Sequence, residues 1–293
     1  MSACTVPFYK LSPGGNPTIL VWDNSLLHLG GTPEKRAAIA RSLMDPDNLG
    51  AEQVGFLDTS RALPHMEMMG GEFCINAIRS AALVFDVLGL LPETSISGIH
   101  EGHMTTSGVN EPIRVRVCSA DTATMSASMA REVALSLSLA PNAQTEAVQE
   151  CAPGQSLVQL PGITHLLLDA TRHPVPEALL AAAEAKRAEY GLDSKEAAGV
   201  IWYLPGSDGT VSIIPVVHVA ATGSSVAETA CGSGSLALAL MLAQSGKQAV
   251  AVHQPSGHAI SITFESPSSP TSPLTAWISG IVRLTAEGKA YLH

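Results

Sequence analysis

The stretch from Glu228 to Gly246 constrains this chain most. Its second half, Leu236-Ala237-Leu238-Ala239-Leu240-Met241-Leu242-Ala243, is built from strong helix formers and runs out at Gly246. It is apolar on every side, so the helix must be buried all round rather than lie with one face in water. It is too short to span a membrane. Ahead of it stands Glu228-Thr229-Ala230-Cys231-Gly232-Ser233-Gly234-Ser235, small and polar. That suits a helix start, where the first backbone amides have no intrahelical acceptor. Such amides hold an anion, and a carboxylate fits them. The positive end of the helix dipole should also favour thiolate over thiol at Cys231. The plainer alternative is a core cysteine followed by a glycine turn.

The chain repeats the arrangement. Met69-Gly70-Gly71-Glu72-Phe73-Cys74-Ile75-Asn76-Ala77-Ile78-Arg79 leads into Ser80-Ala81-Ala82-Leu83-Val84-Phe85-Asp86-Val87-Leu88, and this helix too stops at a glycine, Gly89. Two cysteines, each heading an apolar helix, imply two similar halves, and 293 residues suffice for two domains with a core apiece. A formal net charge of −10 argues against nucleic acid or an anionic membrane as partner. Met1-Ser2-Ala3-Cys4-Thr5-Val6-Pro7 has neither a basic segment nor an apolar run, so no secretory signal is expected and the cytoplasm is the expected location. Five cysteines, an odd set with no CxxC pair, fit free thiols in a reducing compartment better than a disulfide framework or a zinc site.

Read in order, Val6–Lys10 and Thr18–Trp22 are strands around a Ser12–Pro17 turn, with Asn16 more readily a turn residue than a site residue. Thr32 caps a helix with Pro33 at its first position. Glu52–Leu57 is a strand with Glu52 at its start, and His65–Met69 another that leads to Cys74. Ser95–Gly98, Ile113–Cys118, Ala134–Leu139, Leu157–Leu160 and His165–Asp169 read as strands, and Pro176–Tyr190 as a helix. Val200–Leu204 and Val211–Val219 flank a Ser207-Asp208-Gly209 turn. Ala249–His253 and Ala259–Phe264 flank Gln254-Pro255-Ser256-Gly257, and Leu274–Leu284 closes the pattern. Many strands and one buried helix per half describe a curved sheet wrapped round a helix.

Two thiols at two helix heads admit several chemistries. A cysteine hydrolase needs one thiol and a histidine base, which leaves the second cysteine unexplained. A dithiol redox protein usually carries CxxC. A dinucleotide loop is absent, since Gly232-Ser233-Gly234 lacks the third glycine. Inversion of a carbon next to a carboxylate uses every piece. One group takes the proton from one face, a second delivers a proton to the other, and helix-head amides stabilise the charge that develops on the carboxylate. Were the substrate to carry an α-ammonium and a polar side chain, the candidate acceptors would be Glu52, Glu72 and Glu228, with His65, His165 and Asn16 behind them. Glu72 has two plainer roles, tuning Cys74 or facing solvent, and Glu228 has one, capping the second helix.

Several segments resemble the diaminopimelate epimerase family, whose members carry one catalytic cysteine in each of two similar domains. They are Phe8-Tyr9-Lys10 with Gly15-Asn16, Cys74-Ile75-Asn76-Ala77-Ile78-Arg79, Ala230-Cys231-Gly232-Ser233-Gly234 and Gln254-Pro255-Ser256-Gly257. The family's first motif is Cys-Gly-Asn-Gly-Ala-Arg; Ile75 and Ala77 replace its glycines while the Asn and Arg keep register. The grip on the distal end of diaminopimelate is missing: Val219-Ala220-Ala221-Thr222-Gly223-Ser224 has no Arg, and Glu196-Ala197-Ala198-Gly199 has Ala where an Asn is expected. Glu52-Gln53-Val54-Gly55-Phe56, Gly71-Glu72-Phe73-Cys74, Glu228, Val252-His253-Gln254-Pro255 and Gly288-Lys289-Ala290-Tyr291 are more similar to the histidine racemases of staphylopine-type opine metallophore synthesis.

The resemblance implies an α+β, diaminopimelate epimerase-like fold of two pseudo-symmetric domains, each a curved mixed sheet round a buried helix. The expected domains are 1–119, completed by a return strand at 280–293, and 120–279. Cys74 and Cys231 would be catalytic, and Asn16, Glu52, Glu72, Ile75, Asn76, His165, Glu228, Gly232 and Ser233 would bind substrate. Cys4, Cys118 and Cys151 would be dispensable. The expected reaction is racemisation of histidine with no pyridoxal phosphate, other cofactor or metal, by a homodimer whose partner is the free amino acid. The alternatives are a racemase of a diaminopimelate-like or lysine-like substrate, and a non-racemising isomerase of the same fold.

Overall fold

The computed structural model describes residues 5–22, 31–118, 129–206, 210–269 and 271–292. Cys4, most of the Ser119–Met129 stretch and the Ser207-Asp208-Gly209 turn lie outside the described residues. The chain divides into two compact units, Met1–Leu135 with Gly280–His293, and Ser136–Ser279.

The first unit begins with β1 (Thr5–Pro13), β2 (Thr18–Trp22), α1 (Pro33–Met44), β3 (Gln53–Asp58) and β4 (His65–Met68). It continues through α2 (Ile75–Val87), β5 (Ile99–Thr106), β6 (Ile113–Cys118) and the start of β7 (Ala130–Leu139). Its sheet is mixed. β1 pairs antiparallel with β2, β2 parallel with β3, β3 antiparallel with β4, β4 parallel with β5 and β5 antiparallel with β6. Helix α2 packs against all six of these strands, so the sheet curves round it. The residues from Ile75 to Phe85 are all buried, as a helix with no polar face requires. On the opposite face, Ile39, Ala40 and Leu43 of α1 pack with Val6, Phe8, Ile19, Val21, Val54 and Phe56.

The second unit contains the end of β7, α3 (Ala143–Glu146), β8 (Val148–Ala152), β9 (Gln155–Leu160), β10 (Ile163–Asp169), α4 (Leu179–Glu189), β11 (Ala197–Pro205) and β12 (Val211–Val219). It then runs through β13 (Ser224–Ala227), α5 (Gly232–Ala243), β14 (Ala249–His253), β15 (Ala259–Glu265) and the first part of β16 (Leu274–Tyr291). Strand order is β8-β9-β10-β11-β12-β14-β15-β16, with β10/β11 and β12/β14 parallel and β13 paired on β12. Helix α5 packs on β9, β10, β11, β12, β14 and β15, and α4 covers the other face. Between two helices, β10 is buried along almost its whole length, as a doubly covered strand should be. Leu236, Leu238 and Leu240 are wholly removed from water, about 1.5–3 kcal/mol each. β16 runs on past the division to pair with β1, Thr5 opposite Tyr291.

Several sequence expectations need correction. Ser95–Gly98 is a turn, not a strand; the strand is β5, whose His- and Thr-rich sequence is held extended by its neighbours rather than by propensity. β1 continues through Ser12 and Pro13, so the turn narrows to Gly14 and Gly15, at φ 61° and 94°. Helix α4 begins at Leu179, and its N-cap Ala178 offers no side-chain acceptor. The final strand reaches Tyr291 rather than Leu284. Strands β8 and β13 and the short α3 have no distinctive pattern in the sequence. Thr32 does cap α1, accepting from Lys35 N at 3.5 Å.

Gly108 sits at φ +77°, and a Cβ there would lie 2.4 Å from the backbone nitrogen of Phe73. Gly89 at φ +71° has open space round it. Gly89→Ala should therefore cost only left-handed strain, about 1 kcal/mol. Gly108→Ala adds a backbone clash and should cost about 3 kcal/mol or more. Urea unfolding of the two variants checks the difference; equal losses would refute the clash.

Candidate active site

Each cysteine occupies the N-cap of its unit's buried helix, and the two caps match. Cys74 has φ −136° and ψ 108°, Cys231 φ −129° and ψ 107°. Cys74 Sγ accepts from Ala77 N at 3.5 Å, and Cys231 Sγ accepts from Gly234 N at 3.3 Å. Ser, Thr, Asp or Asn is the ordinary choice here; sulfur does the same task with a group that can also move a proton. The intrahelical ladder begins with Ile78 N to Cys74 O and Ser235 N to Cys231 O. It leaves first-turn amides, those of Ile75, Gly232 and Ser233 among them, without an intrahelical acceptor, and amides so placed suit a carboxylate.

In the first unit a chain of side chains leads away from the sulfur. Cys74 Sγ donates to Gln53 Oε1 at 2.8 Å. Gln53 Nε2 donates to Asn16 Oδ1 at 2.5 Å and to Thr18 Oγ1 at 2.7 Å. Asn16 Nδ2 donates to Glu52 Oε2 at 2.5 Å. Asn16 is wholly buried, so of the two roles weighed, turn residue or amide reaching inward, the side chain takes the second, and the glycines make the turn. Asn76 Oδ1 accepts from Arg79 Nη2 at 2.8 Å, while Arg79 Nε and Nη1 have no hydrogen-bond partner. Burial pushes the Arg79 guanidinium down to about 10, against a pull upward from Cys74. Glu72 is buried, which rules out a solvent-facing role; burial raises its carboxyl, and Gly70 N donates to it at 2.9 Å.

The second unit holds its thiol differently. Cys231 is buried, its N–H donates to Gln254 Oε1 at 2.9 Å, and Ser235 Oγ donates to Cys231 O at 2.7 Å. Gln254 Nε2 in turn reaches Ser235 Oγ and Val252 O, both at 2.9 Å. The helix-head preference for thiolate is opposed here. Burial pushes the Cys231 thiol well above its ordinary range, and the Glu228 carboxylate, which takes a hydrogen bond from it, adds to the push. Ser233 and the Gly234 amide pull the other way. Glu228 is not the helix cap, since Cys231 fills that position.

His165 is fully buried on β10 opposite Gly199 of β11, where a Cβ would lie 2.1 Å from its Nδ1. Neither ring nitrogen has a partner, and burial holds the imidazole neutral down to about 3. His65 is occupied elsewhere, by Thr105 at 2.9 Å and Glu67 at 3.1 Å. Thr222 is a turn residue, its hydroxyl donating to Val219 O. Cys118 and Cys151 head no helix. Gln53, Gln254 and Arg79 stand in the sequence motifs with no role assigned there; the first two are polar residues at the start of β3 and just after β14, which is the signal that marks them.

The family model for the histidine racemase CntK N-terminal domain matches residues 5–291. The chain belongs to the histidine racemase family. Among its relatives in that family, a histidine racemase of Fusobacterium nucleatum subsp. nucleatum is 28% identical over 288 residues, 97% of this chain and 96% of that protein. A Staphylococcus aureus histidine racemase is 36% identical over 84 residues, 27% of this chain and 29% of that one. The fold of this racemase-family chain is similar to a hydroxyproline epimerase from Agrobacterium vitis with bound trans-4-OH-L-proline (TM-score 0.65, 12% identity, 98% and 93% coverage). It is also similar to a phenazine biosynthesis protein of Bacillus anthracis (TM-score 0.61, 11% identity, 99% of each chain). Among the described residues, no helix is long and apolar enough to cross a membrane.

The neutral His165 carries a pH dependence. Unfolded, a histidine takes its proton near 6.5; folded, this one waits until about 3. The unfolded state therefore binds more protons between these values, and stability falls as pH falls through that window while staying unaffected above it. Between pH 6.5 and 4.5 the wild-type protein should lose about 2–3 kcal/mol more than His165→Leu. Urea midpoints at the two pH values measure this, and parallel losses in both proteins would refute it.

Proposed function

We propose that this protein interconverts L- and D-histidine, with Cys74 and Cys231 as its two acid/base groups. What carries the reading is the matched pair of sulfur caps, one on the buried helix of each unit, in a chain of the histidine racemase family. Inverting Cα requires removal of its proton on one face and delivery on the other. A thiolate takes the proton, the electron pair is delocalised into the carboxylate, and the second thiol protonates the opposite face. The two sulfurs then stand in exchanged protonation states, and catalysis of the reverse direction restores them.

The helix-start amides of Ile75, Asn76, Gly232 and Ser233 suit the substrate carboxylate, where negative charge grows as Cα becomes planar. Glu52, Glu72, Glu228, Asn16 and His165 are the proposed neighbours of the ammonium and side chain. Histidine as substrate rests on the names of the relatives, as do D-histidine supply to an opine metallophore and the homodimer on the resemblance. The cytoplasm is the compartment that the unpaired thiols favour.

Incubation with L-histidine in D2O should place deuterium at Cα and produce D-histidine. Cys74→Ala and Cys231→Ala should each lower racemisation by about a thousandfold or more, because one base cannot serve both faces. Replacement by Ser should also be severe, since a hydroxyl is a far weaker acid. Cys118→Ala and Cys151→Ala should leave the rate unchanged. Absence of exchange with any amino acid, or full activity in either catalytic variant, would refute the proposal.

A further inference from the structure

Glu52 is linked to Cys74 by hydrogen bonds through Asn16 and Gln53. Two amides stand between them, and their orientation is dictated from one end. An ionised carboxylate only accepts hydrogen bonds. Glu52 therefore obliges Asn16 to present Nδ2, which turns Asn16 Oδ1 toward Gln53. Gln53 must answer with Nε2, which turns Oε1 toward the sulfur. Thr18 fits the same polarity, accepting from Gln53 Nε2 at 2.7 Å and donating to Asn16 Oδ1 at 3.1 Å. The last atom of the chain is thus an oxygen, 2.8 Å from Sγ, and an oxygen there is satisfied by a thiol and repels a thiolate.

We propose that Glu52 acts on Cys74 through this chain, as a positioning residue that polarises Asn16 and Gln53 so that the sulfur of the free enzyme keeps its proton. The proposal rests on Cys74 being one of the two acid/base groups. Other charges near Cys74 are Arg79 on its own helix, Glu72 two residues ahead of it with its carboxylate turned to Gly70 N, and Glu67 on β4, whose charge bears on Glu72. Arg79 and the Ala77 amide favour thiolate; the Gln53 oxygen opposes them. Glu52 holds that opposing oxygen in place. A substrate that drew Glu52 or Asn16 away would free the amides to turn over and put Gln53 Nε2 on the sulfur, so that Cys74 gives its proton to Cα as the Cys231 thiolate takes the original proton from the opposite face, and the thiolate left on Cys74 is held by that amide.

The test reads the thiol and not turnover. The rate of iodoacetamide alkylation of Cys74, resolved from the other cysteines by peptide mass, is followed against pH in the full-length protein. In the wild type the midpoint should lie no lower than the ordinary thiol value of about 8.5. Glu52→Gln replaces an obligate acceptor by a group that can also donate, lets the chain reverse and should move the midpoint down by about one pH unit, the equivalent of one hydrogen bond gained by the charged form. Gln53→Met removes the terminal oxygen and should move it down similarly. In the Gln53→Met background, Glu52→Gln should add nothing, whereas a charge acting through space would add its full effect.

A wild-type Cys74 that is thiolate at neutral pH would overturn the proposal without any variant. So would an unmoved midpoint in Glu52→Gln, or an undiminished shift in the double variant. If Cys74→Ala instead retains racemase activity, the two-thiol reading fails while the alkylation profiles still judge the chain of amides.

Discussion

A helix without a polar face has to be covered from every direction, and that requirement shapes both units. One sheet cannot cover a cylinder unless it curves, and each sheet here places six strands against its central helix. A second helix on the outer face, α1 in one unit and α4 in the other, covers the strands that the curve leaves bare. The parallel pairs within each sheet follow, because chain that has crossed over a helix returns in the same direction. At the helix start the backbone amides need acceptors that an apolar wall does not supply. The sulfur cap meets this need and puts a proton-carrying group at a polar point of a buried helix.

The two caps agree in backbone and differ in surroundings, and the difference is chemical. Cys74 is half-buried and faces the oxygen of a neutral amide, with an unmatched guanidinium on its helix. Cys231 is fully buried and faces a carboxylate. A racemisation reaction has an equilibrium constant of one, so the enzyme has no thermodynamic preference to express. The two thiols, in the role proposed for them, nevertheless need not be alike, because each would meet a different face of a chiral substrate.

Sequence alone made the helices, the caps and the order of most strands legible, because each rests on local chemistry. The run of Leu and Ala after Ser235 admits little but a buried helix, and Thr32-Pro33 marks a helix start. What stayed hidden depends on neighbours. Strand β5, with His100, Glu101 and His103, is extended because β4 and β6 pair with it. Asn16 is next to two glycines and reads as a turn residue; only the fold brings Glu52 and Gln53 alongside it. The helix dipole, a fraction of a charge, favours thiolate at Cys231, while desolvation and a whole charge at Glu228, which only the fold brings to it, push the other way.

Strand β16 belongs to both units, and it has a consequence for how the chain comes off a ribosome. The second unit is a continuous segment, and its pairings, down to Ser261 with Ser279, are available once residue 279 has emerged. The first unit is different: β1 is made at the outset, but its partner is the stretch that ends opposite Thr5 at Tyr291. Until that stretch has emerged, β1 is paired on the β2 side alone, and its other edge stands open with a row of backbone groups that another extended chain can join. The unit synthesised first is thus the unit completed last, and its exposed edge is where a chaperone would have most to protect.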